Sequence, residues 1–358
     1  MKPPIIPCIT LRMSPTTPKT FTAIGNACTD LMVYVDDAFL DAHNIRKYHC
    51  THFTDPEKFH AFKAPLPPFQ KIPGGVGANV AHIVSALGGE SHFISKIAAD
   101  AEGLSFRTYM EDHGVTCHFP PASPAEIGSP QVPTLITPDG ERTFASYDGV
   151  GLTFSESDYD MDQIRATDYL LLDGYCFSSP YTGDGFIKAA TLATANGHHV
   201  TFNVGDLSNY EANTTTIDHL LSLVTSLTCN QAEAQAFFGE TTPLPAILNI
   251  MADRYAFGAV THGKDGAHIF AEGQIVHVPA ADMADSVLVD TNGAGDHFTA
   301  GLIYGQMHDL DLDHTGRLAA ICAKDCISHI GARPQGGKHA LHHLVDQSRP
   351  AKSHGSVR

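Results

Sequence analysis

From Phe21 onward, and most regularly beyond Tyr169, short apolar runs alternate with stretches of helical periodicity, and this alternation restricts the fold more than any other feature. Residues 169–172, 200–204, 226–229 and a run ending at 259–261 read as buried strands. Helical spacing fills 185–195, 217–223 and 232–238 between them. Strands joined through helices pair in parallel, because each crossover returns the chain to the same edge of the sheet. The expected fold class is therefore α/β: a doubly wound, mostly parallel sheet flanked by helices, with ligands at the carboxyl ends of the strands.

The first half is less regular. Residues 21–24 and 31–35 read as strands, 78–87 as a helix stopped by Gly88-Gly89, 93–97 as a strand and 104–112 as a helix stopped by Gly114. A hairpin is expected from 132–136 and 142–147 around Pro138-Asp139-Gly140. Between 39 and 71 the pattern is irregular, with Pro65, Pro67 and Pro68 as breakers. Strand-rich stretches without crossover helices suit a small β lid, built from about 31–72 and 118–149. The expected organisation is a flexible N-terminal extension over 1–20, a main domain over 21–345 carrying that lid, and a flexible tail over 346–358.

Composition narrows the function. A net charge of −17 speaks against nucleic acid as partner, since phosphate backbones need clustered Lys and Arg. No apolar run reaches the roughly 18–20 residues that span a bilayer, so no membrane partner is expected. The eight cysteines form no CxxC pair and no signal segment precedes them, which fits a cytoplasmic setting. Cys322 and Cys326 share a helix face and read as packing residues. The adjacent pairs His198-His199 and His342-His343 point apart, and no metal is assigned to them.

The sharpest chemical signal is Asp290-Thr291-Asn292-Gly293-Ala294-Gly295-Asp296, between an apolar strand expected at 286–289 and a helix expected over 294–307. Glycines there leave backbone N–H groups uncovered, and with the positive end of the helix dipole they form an anion site. A carboxylate beside such a site can take a proton from an attacking hydroxyl; the structural alternative is a helix-capping aspartate. Other nucleotide signatures fail. Residues 258–264 nearly spell a P-loop, but Asp265 stands where its Ser or Thr belongs. Gly75-Val76-Gly77 starts a dinucleotide fingerprint that Val80 breaks, against a dehydrogenase.

The segment 290–298 resembles the C-terminal signature of the ribokinase-like (PfkB) sugar and nucleoside kinases. In family order, Gly25-Asn26 with Asp30, Gly74-Gly75 with Asn79, Asn230 with Glu233, and Thr261-His262-Gly263-Lys264-Asp265-Gly266 resemble its other motifs. The stretches 35–40, 137–143 and 328–334 look most like bacterial adenosine-kinase-like members. Asn292 stands where that family usually has Thr.

The resemblance implies a ribokinase-like kinase domain and assigns roles. Asp296 would be the general base, and Gly293, Ala294 and Gly295 the anion hole. Asn26, Asp30, Gly74, Gly75 and Asn79 would bind the sugar or ribose. Asn230, Glu233, Thr261, Gly263 and Gly266 would bind ATP, with Glu233 meeting Mg²⁺ through water and Asp290 contributing to a K⁺-type monovalent site. Arg142 is a candidate for phosphate contact, with a solvated hairpin arginine as its alternative. The expected activity is ATP-dependent phosphorylation of an adenosine-like nucleoside. The alternatives are a kinase for a free sugar and, from another class, a non-catalytic metabolite sensor. Phe59, Phe62 and Phe69 are either a stacking surface for a base or lid core. The chain would act as a monomer or homodimer.

Overall fold

The computed structural model describes residues 18–47, 49–205 and 207–349. Residues 1–17 of the expected extension and 350–358 of the expected tail lie outside the described residues. The described strands are β1 (Thr20–Ile24), β2 (Thr29–Tyr34), β3 (Cys50–Phe53), β4 (Gln70–Pro73), β5 (Glu90–Ile94), β6 (Val115–His118), β7 (Gln131–Ile136), β8 (Arg142–Tyr147), β9 (Tyr169–Asp173), β10 (His199–Asn203), β11 (Ser226–Asn230), β12 (Phe257–Thr261), β13 (Ala267–Ala271) and β14 (Gln274–Val278). They form a nine-stranded sheet, ordered β14-β13-β12-β11-β10-β9-β1-β5-β6, and a five-stranded sheet, ordered β3-β8-β7-β2-β4.

In the large sheet β12 through β6 run parallel, and β13 and β14 are antiparallel additions. Alternate residues of each central strand go to opposite faces, and both faces are apolar. Phe21, Ala23, Tyr169 and Leu171 enter one core with helices Val76–Leu87 and Ala294–Met307. Ile24, Leu170, Leu172 and Phe202 enter the other with helices Thr182–Ala195 and Leu244–Arg254. Burial on both faces is why these strands read as continuous apolar runs. Each Phe, Leu and Ile among them contributes about 1.5–3 kcal/mol by leaving water. From β1 the chain builds the sheet one way through β5 and β6, and later the other way from β9. The crevice outside the carboxyl ends of β1 and β9 is therefore a switch point, the place where such sheets bind ligands.

The small sheet joins β2 to β4 antiparallel, β2 to β7 parallel, and β7 to β8 as the expected hairpin. One face of it, with Leu31, Val33, Leu135 and Ala145, closes a separate core against helix Pro56–Lys63. Phe59 and Phe62 are buried in that core, Phe59 stacked on Tyr147 at 4.5 Å and Phe62 on Phe53 at 5.0 Å. Phe69 packs at its rim. Phe59 and Phe62 are lid interior, so the reading of them as a base-stacking surface does not hold, while Phe69 is half-buried at the edge of that core.

Other expectations change locally. The stretch read as irregular hides helices Asp37–Ala42 and Pro56–Lys63, each started by an aspartate that accepts a backbone N–H. β6 joins the large sheet, so the second part of the small sheet begins only at Gln131. Residues 286–289 form no strand: Val287 and Leu288 stand exposed in a loop, and the apolar run had suggested otherwise. Helix Leu312–Ile327 is capped by Asp311. Helix His342–Gln347 and the buried Ser348 carry ordered structure past residue 345.

Candidate active site

Helix Ala294–Met307 opens directly after Gly293, which has a left-handed φ of +81°. A Cβ at that position would lie 2.3 Å from the Cβ of Ala332, so only glycine fits. Asp296 follows in the first turn, buried, and its Oδ2 accepts a 2.7 Å hydrogen bond from Asn79 Nδ2. Burial pushes the Asp296 carboxyl up to about 7; the Asn79 bond and the Arg333 charge oppose this, while Asp173 and Asp30 reinforce it. A carboxylate near neutrality can both take and hold a proton at working pH.

Asn79 sits in the first turn of helix Val76–Leu87. Gly75 starts that helix at φ +90°, where a Cβ would meet the backbone oxygen of Asn26 at 2.2 Å. Asp30, on β2, faces Gly74 so closely that a Cβ there would lie 2.6 Å from its Oδ2. Asn26, Asp30, Gly74, Gly75 and Asn79, read from separate motifs, thus lie next to one another, with Asn79 bonded to Asp296. Burial raises the Asp30 carboxyl to about 7, with Arg333 working against the shift and Asp290 adding to it.

On the other side of the glycine turn lies a cleft of about 930 Å³. Thr261, Gly263 and Gly266 line it together with Ala294 and Gly295, and Leu288, Phe298 and Ile327 give it apolar walls. Asn230 pairs with Thr261 in the β11–β12 ladder. Its side chain accepts from Glu233 N at 2.9 Å, while Asn230 N and Nδ2 donate to the Glu233 carboxylate at 2.9 and 2.7 Å. This reciprocal cap fixes both groups beside Thr261, though neither lines the cleft itself.

Asp290 has a different partner from the one expected. Arg142, reaching in from β8, places Nη1 2.6 Å from its Oδ1. Asn292 N and Gly331 N donate to the same carboxylate at 2.7 and 2.9 Å. Burial works to raise the Asp290 pKa, but Arg142 and these two amides outweigh it and hold it below the usual carboxylate range. With a guanidinium against it, this carboxylate does not fit a monovalent-cation ligand, and Arg142 is not a solvated hairpin side chain. Among the described residues no group of three or more His, Cys, Asp or Glu could hold a metal ion. Glu233 suits a metal that keeps its water and is bound mainly by phosphate, which is how Mg²⁺ usually binds.

Two charged groups at the site escaped the sequence reading. Asp173 closes β9 with its side chain fully buried, and Arg333 lies 3% exposed in the loop after helix Leu312–Ile327. A carboxylate ending an otherwise apolar central strand was a usable signal for the first. The second falls within the stretch 328–334 that carried a resemblance, but no role was read for it, because that role depends on contacts with residues 73–78.

Comparison with known proteins fits this geometry. A family model described as pfkB family carbohydrate kinase matches residues 55–336. Aminoimidazole riboside kinase from Salmonella typhimurium is 27% identical over 281 residues, covering 76% of this chain and 86% of that protein. Ribokinase from Bacillus subtilis is 26% identical, covering 75% of this chain and 85% of its own. The crystal structure of adenosine kinase from Sinorhizobium meliloti superposes with a TM-score of 0.83 at 25% identity, over 93% of this chain and all (100%) of that one.

Proposed function

This chain belongs to the pfkB family of carbohydrate kinases, and we propose that it moves the γ-phosphoryl group of ATP to a hydroxyl of an adenosine-like nucleoside, with Asp296 as the base. Membership makes it an ATP-dependent kinase for a small carbohydrate or nucleoside. The observation that carries the mechanism is the pairing of buried Asp296 with Asn79 beside the glycine turn.

The acceptor hydroxyl gives its proton to the Asp296 carboxylate as its oxygen bonds to the γ-phosphorus. The bond to the β–γ bridging oxygen breaks and ADP leaves. The N–H groups of 293–295 and the helix dipole stabilise the charge that gathers on the transferring group. Asn26, Asp30 and Asn79 pair the hydroxyls of the sugar ring, and Gly74 and Gly75 let it approach the backbone. Asn230, Glu233, Thr261, Gly263 and Gly266 position ATP. Glu233 would hold Mg²⁺ through water, and the ion would supply positive charge against the phosphates.

Support for a nucleoside acceptor comes from the aminoimidazole riboside kinase and adenosine kinase likenesses. One observation favours a free sugar instead: Phe59 and Phe62 lie in the lid core and give a base nothing to stack on. ATP-to-ADP turnover with Mg²⁺ separates the two, run against adenosine, inosine, guanosine, ribose and fructose with Asp296→Asn as the blank. A nucleoside preferred at least tenfold in kcat/KM bears the proposal out. A free-sugar preference discards the nucleoside and keeps the mechanism.

A further inference from the structure

The backbone from Pro73 to Asn79 forms one wall of the acceptor crevice, and two buried side chains of opposite charge hold it from opposite sides. Arg333 donates to three backbone carbonyls of this segment, and its Nη1 also meets Met110 Sδ at 3.1 Å. Nε donates to Pro73 O, Nη2 to Gly74 O and Nη1 to Ala78 O, each at 2.9 Å. Its plane is enclosed by the rings of Phe106 and Tyr109, 5.8 and 5.7 Å from the guanidinium carbon. Asp173 works on the N–H side. It accepts from Gly77 N at 3.1 Å and Tyr175 N at 3.0 Å, and also from the Asn26 backbone. One carboxylate thereby ties the end of β1 to the start of helix Val76–Leu87, the two strips of chain that carry Asn26 and Asn79.

We propose that Asp173 and Arg333 are positioning residues that hold residues 73–79, and through Asn79 the base Asp296, in the geometry that receives the acceptor. A buried charge is retained only where it is well paired, since an unpaired one costs several kcal/mol. Here Arg333 is paired with three carbonyls of segment 73–79, and Asp173 with the Gly77, Tyr175 and Asn26 amides that join this segment to the ends of β1 and β9. A planar fork that binds three carbonyls at once is a task lysine cannot repeat.

The pair also sets the charge around Asp296. The groups facing Asp296 are Asn79, Asp173, Arg333, Asp30 and the thiol of Cys326. Asp173 raises the Asp296 pKa and Arg333 lowers it. Removing each should move the acid limb of kcat/KM in opposite directions, an effect that simple loosening of the fold does not produce.

This inference rests on the kinase reading of Asp296, and its test has one readout that does not. Asp173→Asn, Arg333→Gln and Arg333→Lys are compared with wild type by amide hydrogen exchange and by the pH profile of kcat/KM. Exchange over 73–79 should rise at least tenfold in all three, with helix Thr182–Ala195 unchanged. The acid limb should move to lower pH in Asp173→Asn and to higher pH in Arg333→Gln. In Arg333→Lys it should stay near wild type, because the charge remains. If Arg333→Gln does not fold, Asp173→Asn and Arg333→Lys decide by the same criteria. Unchanged exchange over 73–79, or limbs that shift the same way, overturns the proposal. Faster exchange in a protein that phosphorylates no acceptor sinks the catalytic reading and leaves the positioning of 73–79 standing.

Discussion

Asn79 and Asp296, 217 positions apart in sequence, meet through a 2.7 Å hydrogen bond from amide to carboxylate. The bond favours the ionised carboxylate, against a burial that favours the protonated one, and the balance lies at about 7. The acid limb of kcat/KM should therefore fall near neutrality. Asn79→Leu removes the donor, so the carboxyl should protonate more readily and the limb should move to higher pH. Asp296→Asn keeps the shape without the basicity and should lose on the order of 10²–10⁴ in kcat. Near-normal turnover in that variant would falsify the role of Asp296.

The Arg142–Asp290 ion pair links the small sheet to the glycine turn. Arg142→Ala should leave a buried carboxylate with two amide donors only, destabilising the fold by on the order of 1–3 kcal/mol. Because the guanidinium already supplies the positive charge at Asp290, exchanging Na⁺ for K⁺ should change wild-type kcat less than twofold. In Arg142→Ala a K⁺ requirement should emerge. Activation of the wild type by K⁺, measured with ionic strength held constant, would contradict this account of Asp290.

Asp30 gives a pH-dependent stability whose sign follows from its environment. Its folded pKa, about 7, lies above the ordinary 3.8, so the folded state holds a proton that the unfolded chain releases. The stability this gives is complete below about pH 4 and is lost as pH rises through 7. Asp30→Asn should then raise Tm relative to wild type markedly more at pH 8 than at pH 5, while weakening acceptor binding. Thermal melts at the two pH values check it; an equal Tm difference at both would remove the buried-carboxylate argument.

Where sequence and structure agree, the information was local. Helix Ala294–Met307 has the limits expected of it, since glycines and a dipole-favoured aspartate mark its start. Strands such as Tyr169–Asp173 were legible because both faces are buried. The failures share a different cause. Phe59 and Phe62 look alike whether they face a ligand or the underside of a sheet; packing against Tyr147 and Phe53 decides it. Val287 and Leu288 read as a strand because apolar runs usually are, yet no neighbouring strand offers them a ladder. Arg142, Asp173 and Arg333 act through partners at long range, which no window of sequence displays.

Gly293 and Gly295 flank the proposed anion site but should respond differently to a methyl group. At Gly293 the backbone is left-handed and a Cβ would strike Ala332, so Gly293→Ala should cost both stability and activity. At Gly295 nothing lies within 4 Å of the added Cβ, and the position is helical and lines the cleft. Alanine there stabilises the helix by about 0.5–1 kcal/mol. Its methyl group also intrudes where the phosphoryl group must meet the backbone amides. Gly295→Ala should therefore melt at a higher temperature than wild type while losing at least tenfold in kcat. Melting curves and steady-state kinetics on the one variant decide the matter: full activity at raised Tm would show that the N–H groups beside residue 295 do not receive the phosphoryl group.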